Sequence, residues 1–212
     1  MKKVRLYFFL AICSLFTFNT SAQIYGGAQL NYNAYLGGTG IKYLGFGIHG
    51  DKALGDDLVR LSLNFGLPYK ESATHTIYNL SDGEFADIIG GTNKYSFTNF
   101  ALDYKKFIGG DYEDGGFFLM FGAGLTMATI KYELDSYNTS LYTTEYDYSN
   151  PKDRLFQPII RAGLGYDISF DFGNLFAEGL FVIPANTVGN VPVNINVPFS
   201  YGFNAGIRIP LN

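Results

Sequence analysis

The chain has 212 residues with 15 Lys+Arg against 19 Asp+Glu and a single cysteine, for a formal charge of −4. One cysteine excludes a disulfide framework and a thiolate metal site, and the acidic balance argues against nucleic acid as a partner. No apolar run reaches the roughly 20 residues of a spanning helix, so residence in a membrane would have to be by strands.

Lys2, Lys3 and Arg5 form a positive start, Leu6 to Phe18 is mostly apolar, and Ser21-Ala22 supplies small residues before Gln23. This is the pattern of a secretory leader, with cleavage expected after Ala22, which leaves residues 23–212 as one domain. Cys13 lies in the leader behind Ile12, which is bulky where a lipid-modification signal takes a small residue. Without Lys2, Lys3 and Arg5 the remainder carries 12 Lys+Arg against 19 Asp+Glu, a net charge of −7.

From there the chain alternates. Ala28, Leu30, Tyr32, Ala34 and Leu36 interleave with Gln29, Asn31 and Asn33 in a first strand, closed by the turn signal Gly37-Gly38-Thr39-Gly40. Leu44, Phe46 and Ile48 interleave with Gly45, Gly47 and His49 in a second, and Leu61, Leu63, Phe65 and Leu67 with Arg60, Ser62, Asn64 and Gly66 in a third. A polar excursion over 71–94 reads as a loop. The fourth strand, near 95–107, carries Phe100, Leu102 and Tyr104 on one face and Asp103 and Lys105 on the other; Phe97 breaks the parity and predicts a bulge. The fifth runs from Phe117 to Met127, and a second long polar segment covers 133–154. The sixth sets Ile160, Ala162, Leu164, Tyr166 and Ile168 against Arg161, Gly163, Gly165 and Asp167. The seventh, 175–183, places Glu178 on the polar face; a loop over 184–197 leads to the closing strand, where Phe199, Tyr201, Phe203, Ala205, Ile207 and Ile209 alternate with glycines, Asn204 and Arg208.

Eight strands with short turns alternating with longer loops predict an all-β, eight-stranded antiparallel up-and-down transmembrane barrel. The alternative is a soluble lipocalin-like barrel, in which the greasy face lines a cavity. The distribution of bulk favours lipid outside. The polar face carries Gly47, Gly66, Gly122, Gly124, Gly163, Gly165, Gly202 and Gly206, which suit a crowded interior, while Phe46, Phe65, Phe121, Tyr166, Phe199 and Phe203 lie opposite. Tyr69, Tyr104 and Tyr201, toward strand ends, are candidates for interfacial girdles.

The leader ending in Ser-Ala-Gln, the Gly/Tyr/Phe-rich alternating strands and the strand count resemble the outer-membrane β-barrel domain family of Bacteroidota, with OmpA-like eight-stranded barrels and PorT-like proteins among its kin. The closing strand is similar to the assembly signal of such barrels, with Asn204, Gly206, Ile209 and Leu211 at its polar, glycine and terminal hydrophobic positions; the family prefers aromatics at the last two. The resemblance implies export through the periplasm, insertion into a bacterial outer membrane, and no catalytic signature.

The predicted inward charges Arg60, Asp103, Arg161, Asp167, Glu178 and Arg208 form a candidate lumen network. Glu178 sits on a strand flanked by those of Arg161 and Arg208, and pairing would block a narrow interior. Either a plug of salt bridges or a gated ion path fits the same residues. His49-Gly50-Asp51 places an acid near a histidine with no serine nearby in sequence, and His75 lies between threonines, so no enzyme and no cofactor are expected. Tyr137, Tyr142, Tyr146 and Tyr148 in the second long segment are candidate interaction residues, and its carboxylates lack EF-hand spacing for calcium. The reading is a closed outer-membrane barrel. Its partners would be membrane lipid and an envelope or extracellular protein met through 71–94 and 133–154. An accessory role in a secretion or envelope machine is the alternative; a narrow pore and a lipid-modifying enzyme follow.

Overall fold

A computed structural model describes residues 23–36, 41–144, 152–185 and 199–211; the expected leader lies outside the described residues. The strands are β1 (Ile24–Tyr35), β2 (Lys42–Leu54), β3 (Asp57–Gly66), β4 (Tyr69–Asn79), β5 (Phe85–Asp111), β6 (Gly115–Leu134), β7 (Tyr142–Thr144), β8 (Lys152–Phe170), β9 (Gly173–Pro184) and β10 (Ser200–Pro210). All pairings are antiparallel. Eight strands close a ring in the order β1-β2-β3-β5-β6-β8-β9-β10, with β10 returning to β1 from Tyr25↔Pro210 to Tyr35↔Ser200. Closure leaves no edge in the wall. The start of β1, the end of β10 and the short turns at Gly55-Asp56, 112–114 and Asp171-Phe172 lie at one end, called here the turn end; the other is the loop end.

The alternation sorts side chains as a lipid-embedded wall requires. Leu30, Leu44, Phe46, Phe121, Leu164 and Phe203 are each more than half exposed, while Gln29, Asn31, Arg60, Asp103 and Arg208 on the opposite parity are buried. On β6 the outward apolar set runs from Phe117 to Met127. At roughly 3.3 Å per residue and a tilt near 40°, that band is about 25 Å tall, the thickness of an outer-membrane hydrocarbon layer.

Inner-face glycines make room for the large groups that fill the lumen. A Cβ on Gly122 would come within 2.1 Å of an Asp103 oxygen, and one on Gly165 within 2.3 Å of the Phe118 ring. Gly122→Val should therefore overpack the interior and destabilise the barrel by about 1–3 kcal/mol, read as a lower urea midpoint of the heat-modifiable gel band.

Three expectations need correction. Residues 71–94 are not a loop: β4 continues β3 past Pro68 and stays on β5, from Tyr69↔Tyr95 to Tyr78↔Phe85, so a hairpin rises beyond the ring. Pro68 donates no ladder bond, and the pairing shifts there by one residue, which turns even-numbered side chains of β4 outward where odd ones face out on β3. Second, the segment 133–154 contains β7, which pairs with the far edge of β4 through Ile77↔Thr144. Third, Phe97 is not itself bulged out of β5: the one-residue shift beside it lies on the β3–β4 side. The β5–β6 ladder shifts only between Phe107 and Gly109, and Phe97 points inward, stacked on Tyr43 at 4.5 Å. It belongs to an interior cluster toward the loop end with Tyr95, Ile130, Tyr132 and Leu155. A second cluster, Leu58, Phe107, Phe118, Met120 and Leu180, shares the lower lumen with the buried charges.

Candidate functional site

The period of two places one charged residue after another on the inner wall. Asp51 comes from β2, Arg60 from β3, Asp103 and Lys105 from β5, Arg161 and Asp167 from β8, Glu178 from β9 and Arg208 from β10, and none is more than 5% exposed. Four are basic and four acidic. A buried charge is costly without a partner, so equal numbers are what a sealed interior demands.

Arg60 is the hub. Its Nε donates to Asp51 Oδ1 at 2.8 Å and its Nη2 to Asp51 Oδ2 at 2.9 Å, a bidentate fork, while Nη1 donates to Glu178 Oε2 at 3.3 Å. Lys105 Nζ donates to the same Glu178 oxygen at 2.8 Å, and Asn204 Nδ2 to the other at 2.8 Å. Arg208 pairs with Asp167 at 2.9 Å, and Arg161 with Asp103 at 3.4 Å. Aromatic faces complete the cage: the Arg60 guanidinium lies 4.2 Å from the Phe176 centroid, and Lys105 lies 4.3 Å from Phe118 and 4.7 Å from Phe176.

Strand adjacency suggested that Glu178 would meet Arg161 and Arg208. It does not. Glu178 is opposite Gly165 on β8 and Asn204 on β10, while Arg161 is opposite Val182 and Arg208 opposite Asn174, each four residues along β9. That is about 13 Å of strand at 3.3 Å per residue. Glu178 instead reaches across the axis, because β9 and β3 are four strands apart in either direction around the ring. Asp51, Lys105, Phe118, Phe176 and Asn204 are members that the sequence did not single out for the network. Asp51 and Lys105 carried a signal in their parity, being inward with His49 and Asp103.

The turn end of this layer is covered. There the Tyr112 carbonyl accepts from Arg208 and Asn174, and the Tyr112 ring meets Tyr25 edge-on at 5.9 Å. Toward the loop end Asn31, Asn64, Asn99, Asn204 and Arg161 line a cavity of about 30 Å³, space for two or three water molecules.

His49 Nδ1 is 3.1 Å from Asp51 Oδ1, and the hairpin register set by the turn at Gly55-Asp56 puts Ser62 directly opposite His49. The Ser62 hydroxyl makes no hydrogen bond to the imidazole, and all three residues are buried. Of the candidate interaction residues, Tyr142 opens β7 opposite Asn79 and Tyr137 precedes it, both half-buried; Tyr146 and Tyr148 lie outside the described residues. Among the described residues no three His, Cys, Asp or Glu side chains converge as metal ligands.

No protein-family model matches the chain, and no curated protein does. Solved structures match. A major outer membrane protein from Thermus thermophilus superposes with a TM-score of 0.58 at 11% identity, covering 90% of this chain and 100% of that one. The fold is that of a small outer-membrane β-barrel. The N-terminal β-barrel domain of Pseudomonas aeruginosa OprF aligns at 17% identity over 89% of this chain and 100% of that one, with a TM-score of 0.49. Neisserial surface protein A aligns at 12% identity over 89% and 98%, with a TM-score of 0.47.

Proposed function

We propose that the chain resides in a bacterial outer membrane as a barrel with a closed, salt-bridged lumen. It would serve as a structural and interaction protein through the strands and loops that stand above the bilayer. The observation that carries this is the balanced cluster of four acidic and four basic side chains, cross-linked over the axis by Arg60, Lys105 and Glu178. Eight strands enclose space enough for side chains and little else, and these side chains occupy it. Export by the expected leader would leave both termini in the periplasm and send the loop end outward. The burial of His49, Asp51 and Ser62 supports a barrel that is not an enzyme.

Planar-bilayer recording tests the plug. The wild-type barrel should give no sustained conductance; ohmic channels that vanish on Arg161→Ala or Glu178→Ala would replace the plug with an ion path.

The hairpin supports the interaction reading. Leu80, Phe85, Ile88 and Leu141 are each more than half exposed at its tip, far above the apolar band, and exposed apolar clusters outside lipid mark contact sites. An envelope or secretion-machine partner, as the resemblance to PorT-like proteins implies, is one form that contact takes. Replacing Phe85, Ile88 and Leu141 by Ser should abolish cross-linking to that partner and leave heat-modifiable gel mobility unchanged. Loss of both would assign the tip a folding role instead.

A further inference from the structure

Of the fifteen Lys and Arg residues, three lie in the first five positions and four are the interior Arg60, Lys105, Arg161 and Arg208. Six of the remaining eight lie toward the loop end: Lys42, Lys70, Lys94, Lys131, Lys152 and Arg154. The ladders fix their register. Lys70 is opposite Lys94 between β4 and β5, Lys94 opposite Lys131 between β5 and β6, and Lys131 opposite Lys152 between β6 and β8. Arg154 is one outward step lower, opposite Thr129. Lys42 stands four residues above Phe46 as Lys94 stands four above Thr98, and Phe46, Phe65 and Thr98 share a rung.

Opposed residues of an antiparallel pair share a face. On β5 and β6 the lysine parity is that of Leu102 and Phe121, so Lys94 and Lys131, and Lys70 with them, project from the outer wall. On β6 and β8 the last outward apolar pair below is Met127 and Phe156, on the rung of Phe65 and Thr98, while Leu44 on β2 reaches one outward step higher. Four residues at about 3.3 Å each, tilted near 40°, put the lysines about 10 Å above that rung, where lipid headgroups lie.

Like charges directly opposite one another on a sheet repel. Here they continue from strand to strand along one rung, in a chain whose lumen layer holds four charges of each sign. Glu133 offsets part of the excess, meeting Lys94 at 2.6 Å and Lys131 at 3.1 Å, and the two ammonium groups hold its carboxyl below the usual carboxylate range. Among the described residues no carboxylate lies within 4.0 Å of Lys70 or Arg154. The arc is also one-sided: β1, β9 and β10 reach the loop end with Leu36, Ile183 and Phe199.

From this juxtaposition we infer that the arc over β2, β4, β5, β6 and β8 binds the phosphate groups of outer-leaflet lipid headgroups. The ammonium and guanidinium groups take the anionic oxygens while the apolar rungs beneath contact the acyl chains. The inference rests on the outer-membrane reading. The arc is continuous with the lipid-facing wall, and this selects a lipid over a soluble anion.

The purified barrel in phosphatidylcholine nanodiscs doped with bis-phosphorylated lipid A, or with the same lipid dephosphorylated, tests it by native mass spectrometry. The phosphorylated form should be retained at least ten-fold better. The triple variant Lys70→Gln, Lys94→Gln, Lys131→Gln should lose that preference, and the corresponding Lys→Arg triple should keep it. Equal retention of the two lipids by the wild type overturns the inference, whether or not the variants fold. Displacement of the lipid by equimolar inorganic phosphate or a soluble polysulfated sugar overturns it too, in favour of a free-anion site. Heat-modifiable mobility in undoped nanodiscs reports insertion separately: failure there counts against the membrane barrel itself, and failure of retention alone only against the lysine arc.

Discussion

Glu178→Ala should lower the stability of the folded barrel by about 3–5 kcal/mol, the cost of leaving buried charge without its partner. Glu178 accepts from Arg60, Lys105 and Asn204, and no other carboxylate of the described residues lies within 4.0 Å of Lys105. With the carboxylate gone, a fully buried ammonium group is stranded between the rings of Phe118 and Phe176. Urea titration of the refolded barrel in phospholipid vesicles, followed by the heat-modifiable band, gives the change. The double variant Glu178→Gln, Lys105→Met removes both charges and should recover most of the loss, since the penalty belongs to the imbalance. A single variant as stable as the wild type would mean that the network contributes nothing. The contrast is Lys94–Glu133 on the outer wall, an exposed pair whose removal should cost no more than about 1 kcal/mol.

Leu164→Arg should cost about 2–4 kcal/mol, whereas Ile168→Arg, one outward step short of the turn at the end of β8, should cost about 0–1 kcal/mol. Both side chains are more than half exposed, and a protein surrounded by water would tolerate arginine equally at either position. Leu164 lies midway along the outward face of β8, opposite Leu119, while Ile168 is opposite Gly115 at the lower rim. Depth alone separates them, because a guanidinium near the band's edge reaches the interface and one at its centre does not. Refolding into dimyristoyl vesicles with urea midpoints for both variants decides the matter. Equal midpoints would remove lipid from the outer face.

The sequence alone determined the wall. A period of two with Leu, Phe and Ile on one parity and Gly, Asn and charges on the other is dictated by lipid on one side and a packed lumen on the other; Phe121 against Gly122 shows it within one dipeptide. The same rule explains why residues 71–94 carry a loop-like pattern. Beyond the ring neither face of β4 meets lipid and its inner face is only half-buried, so Lys70 to Thr76 loses the hydrophobic period while keeping its strand geometry and its Thr content.

What only the tertiary structure decided was partnership. Parity assigns Arg60, Asp103, Arg161, Asp167, Glu178 and Arg208 to the interior, but height along the axis depends on the stagger of strands around the ring, which no local pattern encodes. That stagger carries Glu178 away from Arg161 and Arg208 and across the lumen to Arg60 and Lys105. It also aligns Lys70, Lys94 and Lys131, which stand 24 and 37 residues apart along the chain, on one rung of the outer wall. Hydrophobic contrast acts on each residue singly and is legible locally. Ion pairing and like-charge alignment depend on distances that exist only once the barrel has closed.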